Sequence, residues 1–150
     1  IHAYVMGEHG DSSFIPWSLA NMSNVPIESF QNAVSGIDAL YPDLDHAEVE
    51  NYVRKSGGRV IARKGATFYA VSVSVCHIVK SILTGIDTTM TVSTMMHGEY
   101  GLEDVALSVL TVVGQNGVAG KILLPLNDLE VSQLHKSAEA LKDVISNLTI

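Results

Sequence analysis

Alternating and periodic hydrophobic positions divide the chain into strands, helices and one irregular stretch. In residues 1–6 the odd-numbered positions are apolar, which predicts a strand with that face buried and His2 on the opposite face. Residues 14–17 continue as an extended segment, where Pro16 favours an edge position because it cannot donate a hydrogen bond. Between residues 25 and 45, proline, glycine and scattered acidic residues break every period, so this part is expected to be irregular.

Two consecutive stretches show the helical spacing of apolar residues. The first, predicted over 46–64, is preceded by Asp45, a residue type that caps helix N-termini. The second, predicted over 68–83, is apolar on nearly all sides and is therefore expected to be central in the fold, with Gly85 as its end. Cys76, the single cysteine, falls in this helix and is expected to be a reduced, packed thiol.

The second half of the chain contains three strand-like segments and a final helix. Apolar and β-branched residues predict strands over 90–96, 105–113 and 118–124, and an Asn-Gly pair between the last two is typical of a hairpin. Asn127 is expected to cap the final helix. The apolar stripe of that helix consists of Leu134, Ala138, Leu141, Ile145 and Leu148. This order of elements predicts an α+β domain with an antiparallel or mixed sheet and packed helices.

Composition restricts the classes of function. The chain has 150 residues, of which 47% are hydrophobic, enough for one domain with a sizeable core. Sixteen acidic and nine basic residues give a net charge of −7, which argues against nucleic acid as a partner. Apolar runs are far shorter than the ~20 residues that cross a bilayer, so a soluble protein is expected. The single cysteine, which cannot form an internal disulfide, favours the cytoplasm. The chain begins inside a strand pattern without an initiator methionine, which is typical of a piece of a longer protein.

The most unusual stretch is the polar hexapeptide at positions 7–12, Gly-Glu-His-Gly-Asp-Ser, which directly follows an apolar run. Glycines on both sides of His9 favour a tight turn over a regular strand or helix. A histidine held at the end of a sheet can exchange a proton near neutral pH, because the unperturbed pKa of this residue type is about 6.5. A hydrogen-bonded turn histidine without chemistry fits the same residues, and the hexapeptide by itself leaves both interpretations open.

Other kinds of site have weaker support. Glu8, His9 and Asp11 carry donor atoms suited to a metal, yet neighbours at this spacing cannot all face one ion, and no metal site is predicted. A serine nucleophile at Ser12 would lack the Gly-x-Ser-x-Gly elbow of serine hydrolases. Residues 114–121 superficially resemble a phosphate loop, but the spacing is wrong, and the chain has no Gly-x-Gly-x-x-Gly fingerprint for a dinucleotide.

Residues 1–17 closely resemble the active-site segment of NAD-dependent L-lactate dehydrogenases. Further motifs of that family follow in the same order along nearly the whole chain. They are Arg63–Ala70, Gly98–Gly101, the Gly-Gln-Asn-Gly hairpin and Lys136–Ala138. The resemblance implies that residues 1–150 form a substrate-binding and catalytic domain like the C-terminal domain of lactate and malate dehydrogenases. It also implies that NAD is bound mainly by an N-terminal Rossmann domain that is absent from this chain.

The resemblance implies roles for four residues. His9 is the proton donor and acceptor, and Thr67 lines the substrate pocket, although an N-cap of the following helix is the alternative for this threonine. Val71 faces the nicotinamide side, with simple core packing as the alternative. His2 matches the histidine with which allosteric bacterial members bind fructose 1,6-bisphosphate, with a solvent-facing strand residue as the alternative.

The expected function is that of an L-lactate dehydrogenase, a homotetramer of glycolysis and fermentation that reduces pyruvate with NADH. In the family, the aspartate that orients the histidine and the arginine that binds the substrate carboxylate precede the segment that begins at Ile1. The isolated chain is therefore expected to be inactive. A dehydrogenase for malate or another L-2-hydroxy acid is the nearest alternative. A non-catalytic assembly or effector-binding module, in which His9 is only a turn residue, is the alternative from another class.

Overall fold

The computed structural model describes residues 1–30 and 44–148. Much of the predicted irregular stretch thus lies outside the described residues. The strands of the described part are β1 (Asn21–Met22), β2 (Val25–Pro26), β3 (Thr88–His97), β4 (Glu103–Gly114) and β5 (Gly117–Lys121). Its helices are α1 (His46–Lys64), α2 (Tyr69–Thr84) and α3 (Asp128–Ser146). No helix among these residues has the length and hydropathy needed to cross a membrane.

The main sheet is an antiparallel meander in the order β3, β4, β5. The hairpin predicted from the Asn-Gly pair is confirmed, because β4 ends at Gly114 and β5 begins at Gly117, where φ is +87°. Strand β5 is shorter than predicted and ends at Lys121. Of the two sheet types expected from the sequence, antiparallel and mixed, this sheet is antiparallel.

The core lies between one face of this sheet and α3. Alternate residues of β4 point into it, and Val105, Leu107 and Val109 are each at most 1% exposed. The buried cluster consists of Met6, Phe14, Met96, Leu102, Val105, Leu107, Val109, Leu134 and Ala138. The predicted stripe of α3 is covered only over its first half, because Ile145 and Leu148 are exposed.

The helix ends follow local chemistry. The Asp45 side chain accepts a hydrogen bond from the backbone N–H of Glu48, and Asn127 forms a full capping box with Glu130. Helix α2 starts differently, since its N-cap residue is Phe68 and no side chain caps it. The alternative role of Thr67 as an N-cap is therefore wrong.

The expected central position of α2 is also wrong. Ser81 is the only buried residue of this helix, and Val73 and Leu83 are 71% and 79% exposed. Cys76 is an exposed thiol instead of a packed one. The all-round apolar pattern correctly marks a helix with several faces to cover, but the described part of the chain covers only the side that lies against β4.

Residues 1–6 pair only through isolated bridges at His2 and Met6, and the predicted buried face is wrong. Ile1 is 80% exposed, whereas Met6 is fully buried. Alternation separates two faces of a strand without saying which of them meets the core. Here the backbone of Met6 pairs with that of Phe14, and both side chains join the core.

Candidate active site

The hexapeptide forms a closed loop at the edge of the sheet. Its base is the Met6–Phe14 bridge, in which each backbone N–H donates to the other residue's carbonyl, at 2.9 and 3.1 Å. Gly7 forms a second reciprocal pair with Ser108 of β4, at 3.0 and 2.8 Å. The loop is therefore attached to the central strand one residue before Glu8 and two residues before His9.

Hydrogen bonds within the loop fix its turn. The Ser12 backbone N–H donates to Glu8 Oε1 at 3.0 Å. The Ser13 N–H and hydroxyl both donate to the carbonyl of Gly10, at 3.2 and 2.8 Å. None of these bonds involves the imidazole, and His9 is exposed at the tip of the loop. The loop thus fixes the backbone around His9, and within residues 1–30 and 44–148 no hydrogen bond engages its ring nitrogens.

Two helices hold the loop from different sides. The Ser137 hydroxyl of α3 lies 2.7 Å from the Glu8 backbone nitrogen and 3.0 Å from Ser12 Oγ. On the side of α1, Arg54 Nη1 donates to the Ser13 carbonyl at 2.7 Å and to Glu50 Oε2 at 3.0 Å. The chain therefore contributes polar contacts from positions far apart in sequence to a single turn.

A half-open pocket of about 470 Å³ lies beside this loop. It is lined by Val5, Glu8, His9, Gly10, Ser13, Val53, Arg54, Gly57, Thr91 and Ser108. Val5 and Val53 give it apolar wall, and the loop and Arg54 give it polar wall. A small molecule with one apolar part and one polar part suits such a surface.

The other residues singled out from the sequence lie elsewhere. Thr67 and Val71 are exposed, and neither lines the pocket at His9. His2 is also exposed, and its backbone bridges to Asn21 at 2.8 and 2.9 Å. Their roles in binding substrate, cofactor and effector remain predictions.

The described residues do not support the two alternative chemistries, a metal site and a serine nucleophile. Within residues 1–30 and 44–148 no group of three His, Cys, Asp or Glu side chains could hold a metal ion. Ser12 Oγ is paired with Ser137, and Ser13 Oγ donates to a carbonyl, so the hydrogen bonds of both hydroxyls lead away from His9.

Sequence reasoning missed three residues that position the loop: Glu50, Arg54 and Ser137. Glu50 and Arg54 are an i, i+4 ion pair on α1, a spacing visible in the sequence, although it does not show what else the pair contacts. Ser137 lies within the apolar stripe of α3, next to Ala138 and one turn from Leu134. A hydroxyl on the buried face of a helix indicates a polar partner across the interface, and this was the available clue.

Comparisons with known proteins identify the family of this domain. A family model described as lactate/malate dehydrogenase, alpha/beta C-terminal domain, matches residues 1–149. An L-lactate dehydrogenase of Acetivibrio thermocellus is 37% identical over 150 residues, which make up 100% of this chain and 46% of that protein.

Two solved structures extend the comparison. The minor L-lactate dehydrogenase of Enterococcus mundtii, in a ligand-bound form, has a TM-score of 0.86 and 32% identity, with 99% of this chain and 46% of that one covered. A malate dehydrogenase of Archaeoglobus fulgidus in complex with NADH has a TM-score of 0.77 and 32% identity, with 95% of this chain and 42% of that one covered. The chain spans about half the length of the relatives that it matches. It belongs to the lactate/malate dehydrogenase family and corresponds to that family's C-terminal domain.

Proposed function

We propose that this chain is the substrate-binding and catalytic domain of an L-lactate dehydrogenase, with His9 as the proton donor and acceptor. The observation that carries the proposal is the presentation of His9 at the tip of a loop that is fixed on three sides, beside a pocket with polar and apolar walls. The family membership supplies the reaction class, and the relatives named L-lactate dehydrogenase favour lactate over malate.

His9 has a defined task in this reaction. In pyruvate reduction the imidazolium donates its proton to the carbonyl oxygen as the carbonyl carbon accepts a hydride, and the product is the L-2-hydroxy acid. In the reverse direction the neutral imidazole accepts the hydroxyl proton. Proton transfer by a positioned side chain typically contributes about 10²- to 10⁴-fold to the rate. When bound, NADH supplies the hydride.

The described residues fit only the reacting end of such a cofactor. The reduced nicotinamide ring is uncharged, and the apolar wall at Val5 and Val53 suits its face. The glycine-rich residues 114–121, by contrast, form the β4–β5 hairpin and offer no phosphate cradle. We therefore assign the greater part of the cofactor site to a part of the full-length protein outside these 150 residues. Val71 is proposed as a further contact to the cofactor from this domain.

Binding of the substrate carboxylate is not assigned to Arg54, although this residue lines the pocket. Its Nη1 already donates to Glu50 and to the Ser13 carbonyl, so its charge is paired within the domain. Thr67 is proposed to contact the substrate, while the carboxylate partner and the group that orients His9 belong to the rest of the full-length protein. The 150-residue chain alone is accordingly expected to be inactive.

The test is replacement of His9 by Asn in the full-length protein. Pyruvate-dependent NADH oxidation should fall by about 10²- to 10⁴-fold, because the amide cannot shuttle the proton. His97→Asn, at an exposed histidine at the end of β3, is the matched control and should retain wild-type activity. A loss of less than tenfold in His9→Asn would exclude the catalytic role. A preference for oxaloacetate over pyruvate in the wild-type protein would instead identify a malate dehydrogenase.

A further inference from the structure

Ser137 is buried at the point where α3 meets the loop that carries His9. It is fully inaccessible to solvent, and its hydroxyl lies 2.7 Å from the Glu8 backbone nitrogen and 3.0 Å from Ser12 Oγ. The Glu8 N–H donates to this oxygen. One side chain of α3 therefore contacts the loop both before and after His9.

The loop approaches α3 too closely at Gly7 to leave space for a side chain there. A Cβ atom built on Gly7 would lie 2.5 Å from Ser137 Oγ, which is closer than real Cβ contacts, and the φ of Gly7 is +93°. A glycine at this position and a small hydroxyl side chain facing it are both needed for this contact. Gly7 and Ser137 together therefore fix how the loop lies against α3.

We propose that Ser137 is a positioning residue of the active site, whose hydroxyl sets the place of the His9 imidazole by fixing the backbone of Glu8 and the side chain of Ser12. The inference rests on the proposed proton transfer by His9. The loop hydrogen bonds do not engage the ring itself, so the ring is placed through its backbone. The Gly7–Ser108 pair holds that backbone on the side of the sheet, and Ser137 holds it on the side of α3.

Loss of the Ser137 oxygen leaves the Glu8 N–H without its acceptor. The loop then rearranges to satisfy this donor, because it faces the site of Ser137, which is closed to solvent, and an N–H without an acceptor there is unfavourable. The imidazole moves with the backbone. A displacement of about 1 Å in a reacting group can reduce a rate by about 100-fold even when the mutated residue never touches the substrate.

The experiment compares Ser137→Ala with Ser132→Ala in the full-length protein, with pyruvate and NADH as the probes. Ser132 is an exposed serine on the same helix, so its replacement controls for loss of a helical serine. The expected result for Ser137→Ala is a kcat at least about tenfold lower with KM for pyruvate changed less than about twofold, since the bound substrate stays while proton transfer slows. Ser132→Ala should match the wild-type protein in both parameters.

Thermal unfolding of each variant separates misplacement from misfolding. If Ser137→Ala unfolds at the assay temperature, all variants are assayed at a lower temperature at which Ser137→Ala is folded. A variant that is folded and keeps wild-type kcat overturns the inference, as does a loss of kcat explained entirely by the unfolded fraction. The proposed function fails separately, when the wild-type protein does not oxidise NADH with pyruvate or when His9→Asn loses less than tenfold in activity.

Discussion

The loop with its sheet and α3 buries its apolar side chains, whereas α1 and α2 leave theirs exposed. Met6, Leu107 and Leu134 are fully buried, while Tyr69 and Leu83 of α2 are 76% and 79% exposed. Helix α2 is about as rich in apolar residues as β4, so composition does not explain why its side chains stay exposed. The difference shows that the part of this domain that carries His9 has a core of its own, and that α1 and α2 do not cover each other's apolar faces.

Helix α1 is held by polar contacts in place of apolar burial. Glu50 accepts a hydrogen bond from the Trp17 indole N–H at 2.9 Å and pairs with Arg54. The His46 and Trp17 rings also stack with parallel planes and centroids 4.0 Å apart, and His46 Nε2 lies 2.9 Å from Glu28 Oε1. These contacts fix where α1 lies, although no residue of the helix is buried.

The largest expected effect is a difference in stability between two Leu→Ala variants, one in each region. Leu107→Ala should lower the free energy of unfolding of the 150-residue chain by about 2–5 kcal/mol, because it opens a cavity in a packed core. Leu83→Ala removes the same atoms from an exposed position and should change it by less than about 0.5 kcal/mol. Urea unfolding followed by circular dichroism measures both. Equal losses would mean that α2 is packed in solution and that the comparison is wrong.

A smaller effect is expected from overfilling the contact between the loop and α3. Gly7→Ala adds a methyl group against Ser137 at positive φ, and strain and overlap together should cost about 2–4 kcal/mol. Gly101→Ala is the control for strain alone, because its φ is +73° but no atom lies within 4 Å of an added Cβ. It should cost about 1 kcal/mol. If the two variants unfold at the same urea concentration, the loop has room to move away from α3.

The smallest expected effect is on how the stability of the domain depends on pH. The hydrogen bond from Lys121, at 2.7 Å, and then that from the His97 N–H lower the pKa of Glu99 from 4.5 to about 2. Since the folded pKa is below the unfolded one, the pair stabilises the sheet above pH 4.5, and this contribution disappears as the pH falls from 4.5 to about 2.

Glu99→Gln should therefore make stability less dependent on pH within this window and reduce it slightly at neutral pH. Urea unfolding at a series of pH values measures this. Glu139→Gln, at an exposed position of α3, is the matched control and should follow the wild-type curve. If Glu99→Gln loses stability as steeply as the wild-type chain between pH 4.5 and 2, the Glu99 carboxylate does not contribute as described.

Much of the fold was predictable because its determinants are close together in sequence. The caps at Asp45 and Asn127, the helix ends at Gly65 and Gly85, and the β4–β5 hairpin each depend on residues within a few positions. The resemblance of the motifs to lactate dehydrogenases is confirmed at the level of the family and its C-terminal domain. Helix caps, turns and the order of motifs can all be read directly from the amino-acid sequence.

The sequence by itself thus determined the three helices, the β3–β5 meander, the family and the histidine at the centre of the candidate site. Only the tertiary structure decided which face of residues 1–6 is buried, that α2 is exposed, and that Ser137 holds the loop. The physical reason is distance along the chain: Glu8 and Ser137 are 129 positions apart, and their hydrogen bond exists only once the sheet and α3 have packed together. Periodicity reports that a face is apolar, but what covers that face is decided by the packing of distant segments.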